Sequence, residues 1–329
     1  MTATMKSNKS VTRVLMDWAA VIVMIAAIII FTAVKGTSFF SPVNAINILR
    51  AMSITTIFAI GATVTMAPDG FDMSACTLAS CSGYIFASTF LWWGLPIPVA
   101  VIITIIVTMV LYQLTMLLIL VCHIPDMLAT CALMFVHQGL GLFYTGGGAV
   151  SAGMSTRWGA APVRPGWTTS FLAIGKSPYC IIIMLAVVIF AHIFLTYTKH
   201  GRYLYAMGGN KIAAKLSGIN TTKYRYMAGM ITAVIVAIGA MVVTSRNSAA
   251  QIQGCDNYLM PSLAAVFVGR SVGGQEKPNA LGTLIGAALV CVLDNGLTQV
   301  GVAYYVLPAV RGAVMALALV LAYITKKQD

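Results

Sequence analysis

Long apolar runs alternate with short polar connections along almost the whole chain. Most runs are close to the roughly 20 residues that a helix needs to cross the hydrocarbon core of a bilayer. About ten spans are therefore predicted, namely Val14–Val34, Ala45–Met66, Asp72–Trp92, Ile97–Val121, Met127–Tyr144, Tyr179–Tyr197, Tyr224–Ser245, Leu259–Val268, Ala280–Val300 and Val302–Ile324. The eighth run is too short for a simple crossing. We expect a half-helix continued by irregular backbone there, which is tolerated only inside protein or against a cavity.

The composition excludes a soluble protein. Hydrophobic residues make up 59% of the 329 positions and charged residues 9%, and the mean hydropathy is +0.90. The seven cysteines lack metal-ligand spacing, and most lie in apolar runs, so we interpret them as small buried hydrophobes. The sequence contains no G-x-x-x-x-G-K-[ST] phosphate loop and no catalytic or metal-binding cluster, so no catalytic residue, cofactor or metal is predicted. Gly282 and Gly286 in the ninth span predict close helix packing.

The basic residues predict the orientation of the spans. An even number of spans puts both termini on one side, and a cytoplasmic placement puts thirteen of the twenty Lys and Arg in the cytoplasm: Lys6, Lys9, Arg13, Lys199, Arg202, Lys211, Lys215, Lys223, Arg225, Arg270, Lys277, Lys326 and Lys327. Six fall outside, namely Lys35, Arg50, Arg157, Arg164, Lys176 and Arg246, and Arg311 falls within the tenth span. This bias predicts a multi-pass protein of the cell (inner) membrane with cytoplasmic N- and C-termini, and it explains the net charge of +12 without nucleic acid. The main external loop, about 147–177, is a plain connection, a cap over the outer mouth, or a surface that receives a partner.

One long polar segment interrupts the apolar pattern between the sixth and seventh spans. Thr198–Arg225 carries six basic residues and no acidic residue, and Asn210–Gly218 predicts a short helix with a glycine C-cap. Gly208–Gly209 predicts a tight turn into this helix. Such a helix can dock as a rigid unit on a soluble partner, with the small side chains of Ala213 and Ala214 packed against that partner. A helix lying on anionic lipid is the alternative interpretation.

The same segment carries a family resemblance. GRYLYAMGGNKIAAKLSGI at 201–219 resembles the signature loop of the permeases of the ribose-type ABC importer family, whose pattern is close to GR-aromatic-x-x-A-x-GGN-x-x-AA-x-x-SGI. Other stretches of the chain resemble further conserved blocks of the same family. They are DGFDMS at 69–74, IPDMLAT with HQG at 124–139, TGG at 145–147, and YLMPSLAAVFVG, GTLIGA and NGLTQVGVAYYVLPAVRGAV between 258 and 314. The sequence departs from the family at Asp69, where glycine is usual, and at Gln138, where arginine is usual.

The resemblance implies an all-α fold, a polytopic membrane protein with about ten transmembrane helices that is type II ABC importer permease-like, in a single permease domain over 1–329. It implies three partners, which are an ATP-binding cassette ATPase, an extracytoplasmic solute-binding protein and a second permease chain. A coupling loop at about 199–223 would contact the ATPase through the motif residues Gly201, Arg202, Gly208, Gly209, Asn210, Ala213, Ala214, Ser217 and Gly218. The implied solute is a monosaccharide or a similar small polyhydroxylated compound.

Polar side chains inside the spans are candidates for the translocation path. They are Asp72, Ser74, Gln138, Asp294 and Asn295. Each has a structural alternative, because Asp72 with Ser74 could cap a helix and the two amides could bridge helices.

Two other functions remain open on the sequence. One is an ABC permease for nucleosides or branched-chain amino acids, from related families. The other is a secondary transporter driven by an ion gradient, which is expected to have ionisable residues at mid-membrane and discontinuous helices. Only the short eighth run favours it.

Overall fold

The computed structural model is a bundle of long helices and describes residues 18–156, 159–160, 167–272, 277–303, 305–310 and 312–313. In chain order the helices are α1 (Ala19–Lys35), α2 (Pro42–Met66), α3 (Ala75–Leu91), α4 (Ile97–Met116), α5 (Asp126–Thr145), α6 (Trp167–Gly175), α7 (Tyr179–His192), α8 (Lys199–Gly209), α9 (Lys211–Leu216), α10 (Thr221–Asn247), α11 (Leu259–Ser271) and α12 (Ala280–Val300). Leu117–Val121 and Ile193–Tyr197 extend α4 and α7 as π-helical turns. The described ranges also contain four strands of two residues each: β1 (Val150–Ser151), β2 (Ser155–Thr156), β3 (Gly159–Ala160) and β4 (Ala249–Ala250).

The all-α, polytopic fold is confirmed. Among the described residues, seven helices are long and apolar enough to cross a membrane, and α3 is a shorter apolar helix of 17 residues. The predicted tenth span, Val302–Ile324, lies mostly outside the described residues, as do the N-terminal basic residues.

Local capping explains where several helices begin and end. Asn220 accepts a hydrogen bond from the backbone N–H of Lys223 at 2.9 Å at the start of α10. The side chain of Asn279 caps α12 in the same way, because it accepts a hydrogen bond from the backbone N–H of Gly282 at 2.6 Å. Each cap satisfies a donor that the first turn of a helix leaves unpaired. Helix α5 ends at Gly146, whose φ of 71° is left-handed and therefore suits glycine.

The core lies where α10 packs against α2, α3 and α4. The hydroxyls of Thr65 on α2 and Thr232 on α10 are 2.8 Å apart, and those of Thr63 on α2 and Thr283 on α12 are 2.7 Å apart. Hydrogen bonds between helices hold membrane bundles together, because lipid provides little hydrophobic drive for association. Helices α2 and α10 therefore form the central pair.

Small residues bring α11 and α12 into close contact, as the sequence predicted. A Cβ added at Gly282 would overlap the carbonyl of Gly269, and one added at Gly286 would overlap the carbonyl of Ala265. Neither glycine can therefore carry a side chain without separating the two helices.

The segment between α10 and α11 turns back into the bundle. Helix α10 ends at Asn247, β4 pairs with β1, and residues 251–258 then run as turns and one 3₁₀ turn against the side of α3. Helix α11 has only 13 residues. The predicted half-helix with irregular backbone is confirmed.

Candidate functional site

The basic loop at 198–223 contains two helices. Asn210 caps α9 through the backbone N–H of Ala213 at 2.9 Å, and Gly218 follows α9 with a φ of +82°. The predicted short helix is therefore confirmed. The predicted turn at Gly208–Gly209 is wrong, because both glycines lie in the last turn of α8. The spacing of the buried Leu204 and Met207 was the helical signal that could have revealed α8.

Helix α8 is fixed to the rest of the bundle at several points. A Cβ at Gly208 would overlap the carbonyl of Ala67, at the end of α2, so glycine permits this close approach. The phenol of Tyr205 donates to the carbonyl of Pro278 at 2.7 Å, which ties α8 to the connection between α11 and α12. Burial raises the pKa of Tyr205 to about 12, so the phenol keeps its proton at neutral pH. Movement of α8 would therefore be transmitted to two other elements.

Helix α9 presents an apolar pair outward. Ile212 is 74% exposed and Leu216 is 84% exposed, and they lie four residues apart on one face. Lys211 and Lys215 are also exposed, as predicted. The expectation that Ala214 faces a partner is wrong, because its side chain is buried within this chain.

The remaining motif residues of the loop fall into two groups. Arg202, Gly209, Asn210, Ala213, Ser217 and Gly218 are exposed. Gly201 is buried, and a Cβ there would overlap the carbonyl of Leu195. Gly201 is therefore a packing position rather than a contact position.

A buried ion pair lies where the basic loop enters α10. The guanidinium of Arg225 pairs with the carboxylate of Asp126 at the start of α5, and Nη1 donates to the carbonyl of Thr65 at 2.8 Å. The same carboxylate accepts the backbone N–H of Phe71 at 3.1 Å. The guanidinium lies directly over Gly70, where a Cβ would overlap it. Helices α2, α5 and α10 and the connection between α2 and α3 therefore meet at one end of the bundle. This end also carries α8 and α9 and is hereafter called the basic end.

Asp72 and Ser74 lie beside this ion pair and hold the start of α3. Asp72 accepts hydrogen bonds from the backbone N–H and the hydroxyl of Ser74, both at 2.8 Å, and from the phenol of Tyr112 at 2.8 Å. These contacts favour the structural alternative for both residues. Asp69, three residues before Asp72, has a left-handed φ of 62°. Glycine adopts this conformation without strain, which accounts for the glycine that is usual in the family at this position.

Gln138 lines a polar cleft, whereas the other four path candidates do not. Asp294 and Asn295 are half-buried on α12, and Asn295 accepts a hydrogen bond from Gln299 at 3.3 Å within the same helix. The enclosed part of the cleft has room for about one water molecule, and the cleft is lined by Thr77, Ser80, Cys81, Tyr84, His137, Gln138, Leu142, Gln253 and Asp256. The structure therefore does not bring the predicted path residues together.

The walls of the cleft come from α3, α5 and the segment 251–258. Ser80 donates to Asp256 at 2.6 Å and accepts the backbone N–H of Cys255 at 3.0 Å. Tyr84 accepts the backbone N–H of Gln253 at 3.0 Å. Side chains of α3 thus satisfy backbone donors that the irregular segment cannot pair within itself.

His137 was not among the candidate residues that the sequence indicated. Its side chain is fully buried, and the imidazole contacts the backbone of Leu111 on α4 without a hydrogen bond of good geometry. Its position next to Gln138, inside an apolar run, was the available signal.

Comparison with known proteins defines the class of this membrane protein. A family model described as the permease component of branched-chain amino acid transport systems matches residues 44–323. The chain belongs to this family of permease components. It is therefore a transport subunit and not an enzyme.

Individual relatives match along nearly the whole chain. The ribose import permease protein RbsC of Haemophilus influenzae is 30% identical over 300 residues, covering 91% of this chain and 90% of the relative. The protein of the same name from Bacillus subtilis is 31% identical over 294 residues, covering 89% of each. The xylose transport system permease protein XylH of Haemophilus influenzae is 26% identical over 350 residues, covering 90% of this chain and 93% of the relative.

Proposed function

We propose that this chain is the membrane-spanning permease of an ABC importer and carries a monosaccharide or a similar polyhydroxylated solute into the cytoplasm. The observation that carries the proposal is the identity of 30–31% to ribose permeases over about nine tenths of the chain.

The proposal includes three partners and an orientation. A separate ATPase binds at the basic end, which faces the cytoplasm together with both termini. A solute-binding protein delivers the sugar on the opposite side of the cell membrane, where the loop at 147–177 lies. A second permease chain completes the path, and residues 1–329 act as one permease domain.

Coupling to the ATPase takes place through α9. The exposed Ile212 and Leu216 are suited to an apolar groove, and Lys211 and Lys215 are suited to an acidic rim around it. Because α8 is fixed to α2 and to the connection before α12, movement of the ATPase reaches the bundle through α8. Arg202, Asn210 and Ser217 lie on the exposed surface of the same loop.

Leu216→Asp tests this coupling. The variant should fold normally, because the side chain is 84% exposed, and should lose most of the ATPase on purification. Ala214→Trp is the contrasting variant, since its site is buried and overpacking costs about 1–3 kcal/mol of the chain's own stability. Normal ATPase retention by Leu216→Asp would instead favour a helix that lies on anionic lipid.

Uptake in cells tests the proposed function itself. The chain is expressed together with its partner ATPase and solute-binding protein, and accumulation of labelled ribose and labelled leucine is measured. Ribose uptake that disappears when the ATPase is omitted is the expected result. Leucine uptake would support the alternative that the family description suggests, and ribose uptake without the ATPase would indicate a secondary transporter.

A further inference from the structure

The connection between α2 and α3, residues 67–74, is in direct contact with α8. Gly208 on α8 packs so closely against the carbonyl of Ala67 that a Cβ at Gly208 would overlap it. The same Cβ position is 3.4 Å from the backbone nitrogen of Asp69. Because backbone meets backbone here with no side chain between them, a displacement of α8 also displaces residues 67–69.

The next residues of the connection are held by the ion pair of Arg225 and Asp126. The carboxylate of Asp126 accepts the backbone N–H of Phe71 at 3.1 Å, and the guanidinium that pairs with it lies over Gly70. Backbone hydrogen bonds of 3.1 and 3.2 Å also join residues 69 and 70 to the last turn of α2. The connection therefore meets α8 at its first residues and a charged pair at the residues that follow.

The same ion pair joins three helices at the basic end. Arg225 is the fifth residue of α10, directly after the basic loop, and its Nη1 donates to the carbonyl of Thr65 on α2 at 2.8 Å. Asp126 is the first residue of α5. The side chain of Asp126 is 24% exposed, so water reaches this carboxylate when the pair separates, which lowers the cost of separation below that of a fully buried pair. The pair is therefore able both to hold one arrangement of these helices and to open.

We propose that the Arg225–Asp126 pair is a clamp on residues 67–71, and that it opens in each transport cycle when the ATPase moves α8. The closed clamp fixes the end of α2 to the starts of α5 and α10, and its opening lets these helix ends separate. Arg225 and Asp126 are thus positioning residues for coupling, and neither touches the solute or ATP. The inference rests on the proposed function, because it needs an ATPase that acts on α8 and α9.

Hydrogen exchange in the unmodified transporter tests the opening of the clamp. The complex with its ATPase and solute-binding protein is studied in nanodiscs, without nucleotide and after trapping with ATP and vanadate, and amide exchange is read by mass spectrometry. The amide of Phe71, which donates to Asp126, should exchange about tenfold faster in the trapped state. Residues 251–258 are the internal control, because side chains of α3 likewise hold backbone N–H groups of that segment, and their exchange should not change.

Asp126→Asn tests whether coupling requires the charge of the pair. Asparagine keeps the size of the side chain and an oxygen that accepts the N–H of Phe71, but it forms no ion pair with Arg225. The amount of ribose imported per ATP hydrolysed should fall about threefold or more, with normal ATPase retention on purification. A loss of folded protein would lower uptake and hydrolysis together and leave their ratio unchanged.

Asp256→Asn is the matched control for this variant. It removes the same charge from a carboxylate inside the bundle, and its amide oxygen still accepts from the hydroxyl of Ser80. The ratio of ribose imported to ATP hydrolysed should therefore be that of the unmodified transporter. An equal fall in both variants would overturn the clamp, because the effect would then not depend on the contact with Arg225.

The remaining outcomes separate the clamp from the proposed function. ATP-dependent ribose uptake with an unchanged exchange rate at Phe71, or with a normal ratio in Asp126→Asn, would overturn the clamp and leave the function standing. Equally faster exchange at residues 251–258 would also overturn it, because the whole bundle would then loosen. Absence of ATP-dependent ribose uptake in the unmodified transporter would overturn the proposed function and the clamp with it.

Discussion

Gly70→Ala is expected to break the ion pair at the basic end without changing either of its charged residues. The guanidinium of Arg225 occupies the position where a Cβ at Gly70 would be. Adding a methyl group must therefore displace the guanidinium from the carboxylate of Asp126 and from the carbonyl of Thr65, to which Nη1 donates at 2.8 Å. The φ of Gly70 is not left-handed, so alanine adds no backbone strain of its own.

The magnitude follows from the burial of the pair. The side chain of Arg225 is 10% exposed and that of Asp126 is 24% exposed. Breaking a buried pair by removing one partner costs about 3–5 kcal/mol, and the partial exposure of Asp126 places this case at about 3 kcal/mol. In an Arg225→Met background no guanidinium remains, so Gly70→Ala should cost less than about 1 kcal/mol. The interaction free energy between the two changes should then be about 2 kcal/mol.

Reversible unfolding in mixed detergent micelles, followed by circular dichroism, measures these free energies. Gly139→Ala on α5 is the control, because a Cβ there meets no atom within 4 Å. It should be neutral or stabilising by up to about 1 kcal/mol, since alanine favours a helix over glycine. Additive effects of Gly70→Ala and Arg225→Met would refute the reasoning, because the methyl group would then act independently of the guanidinium.

Three further results are expected. Gly208→Ala should destabilise the chain by about 1–3 kcal/mol in the same unfolding assay, because its Cβ overlaps the end of α2, whereas Gly209→Ala meets no atom within 4 Å and should be neutral. An impermeant thiol reagent applied outside cells should modify Ser155→Cys and spare Asn220→Cys in a cysteine-free background, and the reverse pattern would invert the proposed orientation. The purified chain without its ATPase should not bind ATP at micromolar concentration in equilibrium dialysis, since its sequence has no phosphate loop.

The sequence alone was sufficient for the class of fold and for the position of the basic loop. Span length is set by bilayer thickness, so apolar runs such as Tyr179–Tyr197 could be placed from hydropathy and length alone. The short helix at Lys211–Leu216 could also be placed, because its cap at Asn210 and its glycine stop are local signals. The half-helix at Leu259–Ser271 followed from the shortness of the run.

Only the tertiary structure decided which side of a helix faces inward. Helix α9 has six residues, so the sequence could not separate the buried Ala214 from the exposed Leu216. Likewise, the sequence could not show that Tyr112, forty positions away, donates a hydrogen bond to Asp72.

The cleft and the ion pair depend on contacts between distant parts of the chain. Ser80 and Asp256 are 176 positions apart, and Asp126 and Arg225 are 99 positions apart. Hydropathy indicates which segments are long and apolar enough to span the membrane. It does not indicate the rotation of a helix or which helices are its neighbours, because packing sets both. The sequence by itself therefore determined the class of protein and the place of its basic loop. The three-dimensional packing decided which polar residues meet, because that depends on helix rotation and not on local pattern.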